Sequence, residues 1–208
     1  DNTDDENTAM RICPTQIIIS LSLLMFSSCR NISPKVETDV AGAIINMTGK
    51  QVVFAPTLLP TILGRDTTIN VRDTVWARLI VYYDSTACQT CRVNTLYEWK
   101  DIISLEKKTS GKFEMMMVFA PSARDVKNLL RALARSRFLH PVYLDIGQKM
   151  LTANPYIPPH QAFHTFLVDG NNSIILVGDP IVNPKLYPLF TKTLENLLRN
   201  QGRFVEGT

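Results

Sequence analysis

Apolar runs separated by polar, turn-forming segments divide the chain into alternating strand and helix patterns. Val75 to Tyr83 is β-branched and aromatic almost throughout, which predicts a central strand covered on both faces. From Cys88 to about Lys107, residues Val93, Leu96, Trp99, Ile102, Ile103 and Leu105 recur at mostly helical spacing, and Ser110-Gly111 ends the segment. Phe113 to Phe119 predicts the next strand. Pro121-Ser122 opens a helix with Val126, Leu129, Leu130 and Leu133 on one face and Lys127, Arg131 and Arg135 on the other, a basic stripe that reads as a solvated face rather than an anion site. Pro141 to Asp145 is a short strand, followed by a helical turn through Met150 and Leu151. A proline-rich loop from Asn154 to His160 leads to a strand over Phe163 to Val168, hairpin-turn chemistry at Asp169-Gly170-Asn171-Asn172, and a return strand over Ser173 to Val177. Pro184 to Arg199 closes the chain as an amphipathic helix.

Upstream, Val40 to Met47 predicts a short helix stopped at Gly49, and Gln51 to Phe54 a strand ended by Pro56. Pro56 to Thr74 reads as loop, with one more strand near Thr68 to Val71. Strands alternating with helices imply parallel pairing through βαβ units, and the late hairpin adds antiparallel strands. The expected fold class is therefore α/β, a mixed central sheet with helices on both faces.

Composition narrows the function classes. The 208 residues fit one medium domain with appendages, and 45% apolar and 20% charged residues are ordinary for a globular protein. A net charge of +3 is too small to argue for nucleic acid, and four cysteines are too few for a disulfide scaffold. Each cysteine has to be read separately.

Arg11 precedes the apolar run Ile17 to Phe26, which is followed by Ser27-Ser28-Cys29. The run is too short to span a bilayer, which takes roughly 20 residues. A basic start, a short apolar core and small residues before a boundary are the pattern of an export signal. With cysteine at the boundary it resembles a lipoprotein signal, in which Cys29 carries the lipid and becomes the first mature residue. Met10 stands where such a signal would start, behind the acidic Asp1 to Glu6 segment. Removing residues 1–28 takes four acids and one base, so the remainder is mildly basic. Cys13 leaves with the signal and Cys29 is occupied by lipid. Cys88 and Cys91 are then the thiols left in an oxidising compartment.

Cys88-Gln89-Thr90-Cys91 follows a strand and opens a helix. At a helix N-terminus, free backbone N–H groups favour a thiolate, and a second thiol one turn away can resolve a mixed disulfide. In this arrangement Cys88, nearer the exposed end, attacks and Cys91 resolves. A zinc site would need two more ligands, and His140, His160 and His164 are not at finger spacing. Two alternatives stay open: a structural Cys88–Cys91 disulfide, and a Cu(I) site completed by His160 or His164. No cofactor is expected.

From about Val75 to Arg199 the chain resembles the thioredoxin-like superfamily, in particular its exported, membrane-anchored TlpA-like thiol-disulfide oxidoreductases. The resemblance is carried by Tyr82-Tyr83-Asp84 through Cys88-Gln89-Thr90-Cys91, and by Phe163-His164-Thr165-Phe166-Leu167-Val168-Asp169-Gly170, which is similar to the family's Pro-Thr-x-Phe-Leu-Ile-Asp strand and turn. The signal-like segment, Thr48 to Phe54 and the Asp84-Ser85 approach to the cysteines are also similar to lipoproteins of the Bacteroidetes. The resemblance implies a three-layer thioredoxin-like domain over 75–200. Before it lie a signal region (1–28), a lipidated tether (29–39) and an N-terminal extension (40–74), and 201–208 is a tail. It also implies a membrane-anchored enzyme exchanging electrons with a protein thiol or disulfide partner, facing the periplasm. Arg30 after Cys29 favours the outer membrane.

The chain departs from the family in several places. The cis-proline that lies against the cysteine pair and helps bind substrate falls at Phe163, which makes Phe163 and His164 the candidate substrate loop; Pro158 and Pro159 lie a few residues upstream. The aromatic before the first cysteine is Ala87. The buried acid six residues before it is Tyr82, with Asp84 nearer and expected to be more exposed. These departures keep two other functions in view, a non-catalytic binding or assembly lipoprotein and a copper-binding protein of the same fold.

Overall fold

The structure, a computed structural model, describes residues 34–68 and 75–206. The signal-like segment, Cys29 and most of the strand expected near Thr68 to Val71 lie outside the described residues. By its contacts the chain divides after Asp39, and the fold described below is the unit that begins at Val40.

The continuous apolar runs become the centre of the sheet. β3 (Ala77–Tyr83) and β4 (Phe113–Phe119) pair in parallel along their whole length, with Tyr83 opposite Phe119. β5 (Val142–Leu144) continues the parallel part beyond β4, and β6 (Thr165–Asp169) with β7 (Ile174–Val177) forms an antiparallel hairpin on the other side of β3. β1 (Leu59–Ile62) and β2 (Arg65–Asp66) add an antiparallel edge beside β5, giving the order β2-β1-β5-β4-β3-β6-β7.

Alternate residues of the central strands feed two separate cores, as the two-residue period of a strand requires. On one face Leu79, Val81, Met115 and Met117 pack with α2 (Gln89–Asn94), α3 (Lys100–Lys108), α4 (Val126–Ser136) and α6 (Tyr187–Arg199), through Val93, Ile102, Leu129 and Leu194. On the other, Ile80, Tyr82, Val118 and Phe166 meet Met47 of α1 (Pro34–Met47), Met150 of α5 (Lys149–Ala153), and Phe163. Each such buried side chain contributes about 1.5–3 kcal/mol. A βαβ unit, a further parallel strand, then a hairpin and a closing helix make the expected three-layer thioredoxin-like architecture.

Several local expectations are corrected. Gln51 to Phe54 is not a strand; Gln51 makes one antiparallel bridge to Ser173, and the segment otherwise runs as irregular chain over the second core. Part of the expected loop at Pro56 to Thr74 is instead the β1–β2 hairpin, an edge where Pro60 is tolerated. Its turn uses Leu63 and Gly64 at positive φ (52° and 72°), and a Cβ on Gly64 would collide with the Leu130 carbonyl of α4.

The single helix expected after Cys88 is three pieces, α2, a 3₁₀ turn over Leu96–Trp99, and α3. Thr95 makes the break: its amide and its hydroxyl both donate to the Arg92 carbonyl, at 3.1 Å each. The helix expected from Pro121 starts at Val126, because Ser122 and Asp125 first close a turn on each other. The closing helix likewise begins as a 3₁₀ turn over Pro184–Leu186, capped by the Asn183 side chain. Beyond it, Gly202 is buried, and its carbonyl accepts the Gly170 amide at 2.9 Å.

Candidate functional site

β3 delivers the chain to Asp84 at the edge of both cores. Contrary to the expectation of exposure, Asp84 is only 3% exposed. Its Oδ1 accepts the Thr86 amide (2.9 Å), the Thr86 hydroxyl (2.6 Å) and the Ala87 amide (3.2 Å), closing an Asx-type turn. Burial raises the carboxyl pKa, but the Thr86 hydroxyl and amide, His164 and the Ala87 amide outweigh it and hold Asp84 below the usual carboxylate range. From the other side the buried Gln89 amide donates to the carbonyls of Asp84, Ala87 and Tyr83. The turn before Cys88 is therefore pinned by side chains on both sides.

Cys88 is the N-cap of α2, in extended conformation, and its carbonyl accepts the Arg92 amide at 3.0 Å to start the helix. Cys91 lies one turn on, with 5.3 Å between the two Cα atoms and the sulfurs joined as a disulfide at 2.07 Å. Both cysteines are exposed. The first turn of α2 faces outward on both cysteines, and the buried positions of the helix are Gln89 and Val93.

An open cavity of about 470 Å³ lies over the pair, lined by Thr86, Ala87, Cys88, Cys91, Arg92 and Gln161 among others. Arg92 spans it. Its guanidinium donates to Gln161 Oε1 at 3.0 Å and lies 5.7 Å over the Tyr83 ring. A cation here favours a thiolate over a thiol. Arg92 and Gln161 were not singled out from the sequence. The position of Arg92, directly after the second cysteine, was a usable signal; nothing local marked Gln161, which arrives on the 3₁₀ turn over Gln161–Phe163.

Phe163 and His164 stand deeper. The Phe163 side chain is 7% exposed and belongs to the core beneath the sheet, while His164 is 1% exposed. His164 Nε2 is 2.9 Å from the Pro158 carbonyl, so that nitrogen carries the proton. Nδ1 then faces Asp84 Oδ2 at 3.6 Å without a hydrogen bond. Burial lowers the His164 pKa, against the Pro158 carbonyl and Asp84, which raise it. The pair at neutral pH is a carboxylate beside a neutral imidazole. Tyr82 presents its ring edge-on to His164 and donates its hydroxyl to buried Asp145 at 2.9 Å.

Among the described residues no group of three His, Cys, Asp or Glu is placed to hold a metal ion. No helix among them is long and apolar enough to cross a membrane.

No protein-family model matches the chain, and no curated protein matches it in sequence. Solved structures similar in course include a candidate protein disulfide isomerase from Bacteroides thetaiotaomicron, at 14% identity over 72% of this chain and 91% of that one, with a TM-score of 0.48. A thioredoxin-like protein from Porphyromonas gingivalis is 15% identical over 74% of this chain and 94% of its own, with a TM-score of 0.45. A thiol-disulfide oxidoreductase from Bacteroides fragilis is 15% identical over 67% and 99%, with a TM-score of 0.44. Likeness at this level carries nothing about activity, which has to be read from the pair and its surroundings.

Proposed function

We propose that the chain is a thiol-disulfide oxidoreductase of the cell envelope that exchanges two electrons with a protein partner through Cys88 and Cys91. The observation that carries this reading is the exposed cysteine pair at disulfide distance, held on a pinned turn at the end of the central strand and open to a cavity. A purely structural cross-link three residues long would stabilise little and has no need of such access.

In one direction, a thiolate of the partner attacks Cys88 Sγ, the Cys88–Cys91 bond breaks, and Cys91 leaves as a thiolate, which takes up a proton. The partner's second thiol loses its proton and attacks the partner sulfur of the mixed disulfide, releasing Cys88. The partner gains a disulfide, and its two electrons and two protons end on the pair. The reverse sequence reduces a partner disulfide, and the relative potentials set the direction. Amides at the start of α2 and the Arg92 guanidinium favour Cys88 as the thiolate. Residues 75–200 form the catalytic domain in this reading, and a lipid on Cys29 tethers it to the outer membrane with the domain in the periplasm.

Equilibration of the full chain with dithiothreitol buffers tests the proposal. A reversible two-electron transition, about 30 mV per decade, is expected, and Cys88→Ser or Cys91→Ser abolishes it. A pair that cannot be cycled sinks the enzyme reading and leaves the binding lipoprotein. In membrane fractions, Cys29→Ala releases the protein if the tether is correct.

A further inference from the structure

Positions of α2 four residues apart share a face. Cys91 and Thr95 line the cavity over the pair, whereas Thr90 and Asn94 line a second open groove, of about 510 Å³, on the side of α4. The wall opposite is α4, through Asn128, Arg131 and Arg135. Arg131 and Arg135 belong to the basic stripe with Lys127, and all three are exposed.

The charge in this groove is unspent. The helix Val126–Ser136 carries no acid, and Asp125, just before it, is taken up by the Ser122 hydroxyl. The ion pairs among the described residues are Arg78–Glu114, His140–Glu106 and His164–Asp84, none of them on α4. Arg131 has a long contact of 3.5 Å to the neutral Asn128. The groove also adjoins the sulfurs, since Thr90 Oγ1 is 3.8 Å from Cys88 Sγ.

We propose that this groove docks an acidic stretch of the protein partner whose cysteine reacts with the pair. The inference rests on the exchange reading above and adds to it the kind of partner. Charge complementarity selects carboxylates, and the polar side chains on both walls supply hydrogen bonds to an extended backbone. Neighbouring helix axes lie about 8–10 Å apart, and an extended chain advances about 3.4 Å per residue. The matching carboxylates therefore lie about two to three residues from the partner's reacting cysteine.

The test uses the full chain and three disulfide-containing peptides, identical except for Asp/Glu, Ser/Gly or Lys/Arg flanks at those positions. Exchange rates are divided by the rate with dithiothreitol, which carries no charge to dock. The acidic peptide is expected to exceed the neutral one about tenfold at about 20 mM salt and to approach it at about 0.5 M. Arg131→Gln with Arg135→Gln brings the two together, and Arg131→Glu with Arg135→Glu inverts the order. Equal rates for all three peptides overturn the proposal. If nothing exchanges, dithiothreitol included, the exchange reading fails by itself. Docking is then decided by fluorescence anisotropy of a Cys→Ser version of the acidic peptide, which binds wild type and not the Glu variant if the groove is correct. Arginine-dependent binding to phosphatidylglycerol vesicles with no preference among peptides also overturns it, and makes this face a membrane contact.

Discussion

At one end of the antiparallel strands β3 and β6 the chain turns at Asp84, and at the other end it turns at Asp169. Both carboxylates close their turns with Oδ1: Asp84 accepts the amides of Thr86 (2.9 Å) and Ala87 (3.2 Å), and Asp169 those of Asn171 and Ser173 (2.8 Å in both). An arginine stands at each end as well. At the hairpin, Arg78 is held by Glu114 at 2.7 Å and Asn172 at 2.8 Å. At the cysteine turn, Arg92 is held by the neutral Gln161 and the Tyr83 ring. The hairpin end is thus neutralised and complete. The cysteine end retains spare capacity in a carboxylate oxygen facing an imidazole without a hydrogen bond, a cation without a carboxylate, and two exposed sulfurs. The same turn chemistry closes the fold at one end and leaves groups free to act at the other.

Replacing the two aspartates tests that contrast most severely. Asp84→Ala removes three hydrogen bonds to a buried carboxylate and is expected to cost about 2–3 kcal/mol, with the exchange rate falling about tenfold or more as the turn into Cys88 loosens. Asp169→Ala should cost about 1–2 kcal/mol and leave exchange within about twofold. Denaturant midpoints and dithiothreitol-driven cycling measure both quantities. If Asp169→Ala impairs exchange as much as Asp84→Ala, the two ends are not functionally distinct.

The difference between the ends was only partly legible in the sequence. Val75 to Tyr83 and Phe113 to Phe119 announced the central strands because strands buried on both faces read as unbroken apolar runs. The hairpin turn was legible because its chemistry is local to Asp169 and Asn172. Asp84 looked the same locally, an acid followed by Ser and Thr. Its burial comes from His164 and Gln89 closing over it, contacts set by tertiary packing and not by spacing. The kink at Thr95 was hidden because apolar residues keep helical spacing across it. Gln161 was hidden because no pattern fixes the course of a proline-rich loop.

Arg92 sharpens the comparison at smaller amplitude. Arg92→Met keeps much of the side chain's bulk against Tyr83 and removes the charge from the cavity that Cys88 and Cys91 also line. The Cys88 thiol pKa, followed by thiolate absorbance in the reduced protein, should rise by roughly half to one unit, moderated by solvent exposure. Arg78→Met, at the hairpin, should leave that pKa in place while lowering stability, since Glu114 loses its ion-pair partner and keeps only the Tyr143 hydroxyl. A Cys88 pKa indifferent to Arg92 would mean that the cation serves only to tie α2 to the Gln161 turn.

His164 provides the smallest and most selective test, because among the described residues Asp169 has no histidine against its carboxylate as Asp84 has His164. Its folded pKa lies below the ordinary 6.5, chiefly through burial. Between that depressed value and 6.5 the unfolded chain binds a proton that the folded chain does not, so this contribution to stability is complete above about pH 6.5 and is lost as pH falls below it. Asp84 is held below 3.8, so its contribution is complete above that value and is lost only as pH falls through the depressed carboxyl pKa. Acid should therefore weaken the protein in two steps, one starting near pH 6.5 and one below about pH 4. In His164→Gln the side-chain amide can still donate to the Pro158 carbonyl but cannot gain a proton. Its melting temperature should stay level to about pH 4 and then fall, while wild type declines from about pH 6.5. A variant that keeps the upper step would show that the step does not arise at His164, and the buried Asp84–His164 pair would lose its place as what separates the cysteine end from the hairpin end.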